Sequence, residues 1–177
     1  MKKLLALIAL ALSALPAYAI DGVSVEYGTG SDGTDLARVG LLSNWNKSWF
    51  NDGDWHVTGF WDASLGQWSG HSSKGNNQTI TDVGLTPVFR FEQKNLSGMA
   101  PYVEGAIGFH LISPTFINAG RKFATSFQFG DHVGFGMRFG ERHQYDVGYR
   151  YQHLSNGSIK QPNQGINFNE IHLDYRF

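Results

Sequence analysis

The chain contains no cysteine. That excludes disulfide staples, thiolate nucleophiles and sulfur-ligated zinc. No HExxH or other metal-ligand spacing occurs, so no metal and no organic cofactor is expected. Charge of neither sign dominates, with 14 Lys and Arg against 15 Asp and Glu. The basic footprint of a nucleic-acid binder is missing, which removes nucleic acid as a partner. Beyond the N-terminus no apolar run is long enough for a helical membrane span.

The N-terminal run "MKKLLALIALALSALPAYA" has two lysines, a short apolar stretch and then Ala17-Tyr18-Ala19. This is the layout of a secretory signal peptide with a small-x-small cleavage site. Residues 1–19 are therefore expected to be removed, leaving 20–177 as one domain. Without Lys2 and Lys3 the balance is 12 basic against 15 acidic residues, a net charge of -3.

What is abundant is aromatic residues, 14% of the chain, and glycine, with 22. After the leader the apolar residues alternate. Segments 22–28, 35–43, 54–67, 78–92, 100–112 and 125–140 each place large apolar side chains on one parity and polar ones on the other. Period two is the signature of a strand with two unlike faces. Two more follow, "YDVGYRYQHLSN" and the terminal run through Asn169, Ile171, Leu173, Tyr175 and Phe177. Pro87 lacks a ladder donor, so an irregularity is expected there. The stretch 45–53 reads as a turn.

Eight strands is an even number, as a closed single-chain barrel of an outer membrane prefers. The charged residues Glu26, Arg38, Asp62, Asp82, Glu104, Arg138, Arg150, Glu170, Asp174 and Arg176 all oppose the aromatics. An eight-stranded barrel has little interior room, so that many rings fit better outside, facing lipid. Charges of both signs can neutralise one another inside. The expected fold is all-β: an eight-stranded antiparallel transmembrane β-barrel in the bacterial outer membrane. A soluble lipid-binding barrel of lipocalin type is the competing architecture. Loop lengths put 28–34, 66–78, 112–125 and 155–166 outside the cell and 45–53, 92–99 and 140–144 in the periplasm. The tryptophans Trp45, Trp49, Trp55, Trp61 and Trp68 are candidates for interfacial belts. His56, His110, His132 and His172 share parity with the interior polar residues and read as network members. His71 and His143 lie in a loop and a turn, where solvation suffices.

In the seventh strand His153 and Ser155 share the apolar face with Val147, Tyr149 and Tyr151. A serine needs an adjacent base to act as a nucleophile, and histidine is the usual one. If that face meets lipid, the substrate is a lipid. The H-x-S spacing by itself is common, and polar residues at an interfacial rim explain it equally well.

The stretch "HLSNGSIKQPNQGIN", behind a signal peptide and within eight strands, resembles the PagL family of outer-membrane lipid A 3-O-deacylases. The resemblance implies a serine esterase that removes the acyl chain ester-linked at the 3-position of lipid A, with the membrane and lipopolysaccharide as partners. A second copy of the chain is a candidate partner. It implies His153 as base and Ser155 as nucleophile. Asn156, Gly157 and Asn163 stand at positions that shape the site and its oxyanion hole. Asn167 occupies the position where the family has an acid, usually glutamate, and Ser158 stands where glycine is usual. An amide can orient the imidazole but cannot neutralise it, which predicts a slower enzyme. The alternative is a non-enzymatic small barrel, structural or adhesive, carrying an inactive remnant of the site. Arg121, Lys122 and Lys160 fall in outer loops, where they serve solubility or meet head-group phosphates.

Overall fold

The computed structural model describes residues 20–177; the expected leader lies outside them. Ten strands are present: β1 (Gly22–Gly30), β2 (Thr34–Trp49), β3 (Trp55–Gly70), β4 (Thr79–Gln93), β5 (Ala100–Ser113), β6 (Phe116–Asn118), β7 (Arg121–Lys122), β8 (Phe127–Phe139), β9 (Tyr145–Ser155) and β10 (Ile166–Arg176). Eight of them close into an antiparallel barrel in the order β1-β10-β9-β8-β5-β4-β3-β2. Closure is complete along β1, from Gly22 opposite Arg176 to Gly30 opposite Phe168. The barrel itself then has no sheet edge left to pair with another chain.

The alternation fixes which wall each side chain joins. Ile107 is 62% exposed, Val133 64% and Tyr27 57%, while Glu26, Arg150 and Glu170 are buried. Apolar side chains clothe the outside of every barrel strand, in a continuous belt far larger than a soluble monomer leaves in water. The soluble alternative is excluded on that ground. In an outer-membrane orientation the chain ends and the short connections 50–54, 94–99 and 140–144 lie in the periplasm.

Inside, the ion pairs interlock. Arg150 reaches Glu26 at 2.5 Å and Glu104 at 2.6 Å. Arg38 holds Glu26 at 2.7 Å, and Arg90 holds Glu104 at 2.7 Å and Asp146 at 2.5 Å. Three interior histidines join this network as expected. His110 sits 2.9 Å from Asp82, His172 sits 3.1 Å from Asp174, and His132 sits 3.6 Å from Glu104. Buried charge is tolerated because each guanidinium serves more than one carboxylate.

Four details depart from the sequence expectations. The lumen is not polar throughout: Leu36, Trp68, Ile80, Ile112, Ile117, Phe123, Leu154, Ile166 and Phe168 form a buried cluster at its outer end. Trp68 therefore belongs to a plug and not to a belt, because its parity on β3 is inward. Second, the expected turn at 45–53 is mostly strand. β2 continues to Trp49 through a register shift between Asn44 and Ser48, and Trp45 packs edge-on against Trp49, Trp61 and Phe89. Third, the expected loop 112–125 contains the β6–β7 ribbon, which supplies Ile117 and leads into Phe123 of the plug. Fourth, the Pro87 irregularity falls on one side only. Pro87 still pairs with Trp61 of β3, whereas pairing to β5 lapses between Leu85 and Val88 and resumes in the same register.

Candidate active site

Strand β9 turns His153 and Ser155 outward at its upper end. Its neighbours set what flanks them. On the β10 side, Asn167 lies directly opposite His153, and its Oδ1 is 2.5 Å from the imidazole Nδ1. On the β8 side, Asp131 lies opposite His153 and Phe129 lies opposite Ser155. The sequence reading left Asp131 unassigned within an aromatic face. Its parity was legible, but not the register that brings it across from the histidine.

The Ser155–His153 hydrogen bond is not made in this conformation. The serine hydroxyl instead accepts a long bond, 3.5 Å, from the amide of Gly157. Catalytic hydrogen bonds are often loose without substrate, and both side chains are partly exposed on the same face.

The loop that follows is folded tightly. Ile159 donates to the carbonyl of Asn156 at 3.1 Å, with Gly157 at φ 60 and Ser158 at φ 65 between them. Two successive positive φ values mark the type I′ pattern. Ser158 thus adopts the left-handed geometry that glycine would take more easily. Asn156 is buried; its amide donates to Asn163 Oδ1 at 3.0 Å and its side chain donates to the Lys160 carbonyl at 2.7 Å. With its oxygen so engaged, Asn163 keeps its Nδ2 as a donor, and that atom makes only a 3.4 Å contact with Ser158 Oγ. Gly165, at φ 60, closes the loop, and a methyl group there would press on His153 Cε1.

A clamp of outer loops holds this segment. Arg121 donates to the Gly165 carbonyl and, at 2.7 Å, to Asp32, which also takes Lys74 at 2.9 Å. Hydrogen bonds from Lys74 and Arg121 hold the Asp32 carboxyl below the usual carboxylate range. Arg121 is therefore committed within the protein, while Lys122 and Lys160 stay exposed.

Beside His153 the outer wall carries a groove of about 470 Å³, bounded by Pro87, Phe89, Ile107, Val133 and Tyr151 and floored by Gly105. It is mostly apolar and open to the lipid side. On the opposite wall, Asp146, His172 and Asp174 form the one cluster of metal-ligand type among the described residues. Asp146 is engaged by Tyr102 and Arg90, His172 by Tyr102 and Asp174, and all three face the lumen.

Against known proteins, the sequence matches the family described as Lipid A 3-O-deacylase (PagL) over residues 36–176. The chain belongs to the PagL family. It is 33% identical over 169 residues to Lipid A deacylase PagL of Pseudomonas aeruginosa, covering 94% of each chain. To Lipid A deacylase PagL of Bordetella bronchiseptica it is 31% identical over 184 residues, covering 99% of this chain and 96% of that one. A crystal structure of the outer membrane enzyme PagL superimposes with a TM-score of 0.78 at 29% identity, covering 88% of this chain and 99% of the other. Membership in PagL makes this chain an outer-membrane enzyme of the lipid A 3-O-deacylase class, and it answers the barrel-only alternative at the level of the family.

Proposed function

We propose that this chain hydrolyses the 3-O-linked acyl ester of lipid A as a serine esterase, with Ser155 as nucleophile and His153 as base. The observation that carries the reading is the His153–Asn167 pair set beside Ser155 on the lipid-facing wall. An amide oxygen accepts a hydrogen bond from Nδ1–H, which leaves Nε2 with the lone pair a base needs.

The Ser155 proton passes to His153 Nε2 as Oγ attacks the ester carbonyl. The oxyanion that forms meets the Gly157 amide and the Asn163 side-chain amide, donors held by the tight loop. Collapse breaks the bond to the sugar oxygen, which leaves as an alcohol with the proton from His153. Water, activated by the same imidazole, then releases the fatty acid from Ser155. The departing acyl chain lies in the groove below His153. Every group required comes from this chain alone, so activity is expected without the homodimer; cross-linking in native membranes would show whether the dimer forms. The leader reading predicts a mature N-terminus at Ile20, readable by N-terminal sequencing.

The test is mass spectrometry of lipid A from cells that express the chain. Loss of one 3-hydroxyacyl group, absent with Ser155→Ala, supports the esterase. An unchanged lipid A mass with folded protein in the outer membrane supports the inactive barrel instead.

A further inference from the structure

Across the eight barrel strands only Asp35 and Asp131 turn a carboxylate outward. Asp35 sits at the rim, 3.4 Å from His71. Asp131 lies four residues inside β8, on an otherwise apolar wall. An ionisable group on a lipid-facing surface is costly, and it calls for a partner or a task.

Its neighbours leave one choice of partner. From β5 it faces Ile107, with Gly105 and Phe109 on the diagonals. Along its own strand the outward neighbours are Phe129 and Val133. From β9 it faces His153, with Tyr151 and Ser155 on the diagonals. Directly paired positions on one sheet face hold their Cβ atoms about 5 Å apart. Both Asp131 and His153 border the same groove. The other outward titratable groups of β8, β9 and β10 are tyrosines, and Arg121 of the outer loops is paired with Asp32. His153 thus stands between an amide on β10, which it bonds, and a carboxylate at the paired position on β8.

We propose that Asp131 supplies the negative charge that stabilises the His153 imidazolium, while Asn167 supplies only its orientation. The two functions that a single acid would combine are split between the two flanking strands. The proton travels only between Ser155, His153 and the leaving oxygen. Asp131 acts through His153 and is a positioning residue. The inference rests on the reading of His153 as the base.

The experiment uses purified full-length protein in detergent with lipid A as substrate. It compares wild type, Asp131→Asn, Asp131→Glu, Asn167→Glu and the double variant Asp131→Asn/Asn167→Glu across pH. Asp131→Asn is expected to lower kcat about tenfold at unchanged KM. It should also move the acidic limb of the kcat profile about one unit toward lower pH, since an imidazolium without its counter-charge loses its proton more readily. Asp131→Glu should keep most of the rate. The double variant should recover rate and profile, because the charge returns from the β10 side. A wild-type profile in Asp131→Asn overturns the proposal. So does a rise in KM at constant kcat, which marks a substrate contact, or a loss that Asn167→Glu does not repair. If Asp131→Asn does not fold, Asp131→Ser carries the same comparison. Ser155→Ala is run alongside: turnover by that variant overturns the esterase reading itself, whereas its inactivity beside an unaltered Asp131→Asn overturns only the role of Asp131.

Discussion

Histidines with side-chain partners stand on both walls of this barrel. Inside, His110 and His172 lie against Asp82 and Asp174 within a lattice of arginines. Outside, His153 lies against Asn167 at the edge of an apolar groove, with a serine two residues on. The interior pairs are more strongly charged, and they match the textual image of a catalytic dyad better. Yet they are sealed from any substrate, and their carboxylates are shared with arginines. The exterior pair is weaker but reachable. On the proposed reading, catalysis depends on which wall a strand's parity assigns to a side chain, and only afterwards on what the side chain is.

That contrast can be broken in order of effect. His153→Ala should reduce deacylation by at least about 10³-fold while leaving barrel stability close to wild type, because it removes the proposed base and no buried partner. His172→Ala should do the reverse, costing stability and sparing the rate of the folded fraction. Equal rate losses in lipid A assays of the two variants would remove the distinction between the walls.

Arg150→Met comes next. It strips Glu26 and Glu104 of a shared cation and should destabilise the barrel by about 3–5 kcal/mol. The check is denaturant unfolding in detergent micelles, followed by the heat-dependent shift in gel mobility.

Asn167→Glu sharpens the comparison by giving the outer pair an inner-style carboxylate. The rate should rise up to about tenfold, because negative charge now sits beside the imidazolium. An unchanged or lower rate in folded protein would mean that charge at this position is not what limits turnover.

The smallest effect concerns the loop clamp. Asp32→Asn should loosen the segment 157–165 by no more than about 1 kcal/mol, as a partly exposed ion pair is worth little. Faster amide exchange in that loop would register it. The pH dependence has a definite sign. Because the folded-state value of Asp32 is depressed, its contribution is whole above the ordinary carboxyl value of 3.8 and disappears as pH falls through the lower folded value. Wild type in strong acid should therefore exchange like Asp32→Asn at neutral pH.

Much of the fold was legible because a strand has a period of two, and a slip of one residue would turn every side chain to the wrong wall. That rule put the ten opposing charges on one wall and His153 with Ser155 on the other, and the small interior of an eight-stranded barrel decided which wall was inside. The rule failed at "NWNKSW", where asparagines and a lysine imitate a turn. The irregular register there is held by tryptophan packing, which no local pattern announces. It was also incomplete for Trp68, whose inward parity could be counted but whose ring belongs to a plug assembled from several strands and the β6–β7 ribbon.

Composition, alternation and the H-x-S-N stretch determined the class of barrel, the exported leader as an expectation and the two residues at the end of the seventh strand. Only the tertiary structure decided what stands beside them: Asn167 from one neighbour, Asp131 from the other, and a groove opened where Pro87 interrupts pairing. The reason is physical. Parity is a property of one strand and can be counted along the chain, whereas register between strands is set by loops, bulges and side-chain packing that are settled only when the sheet closes.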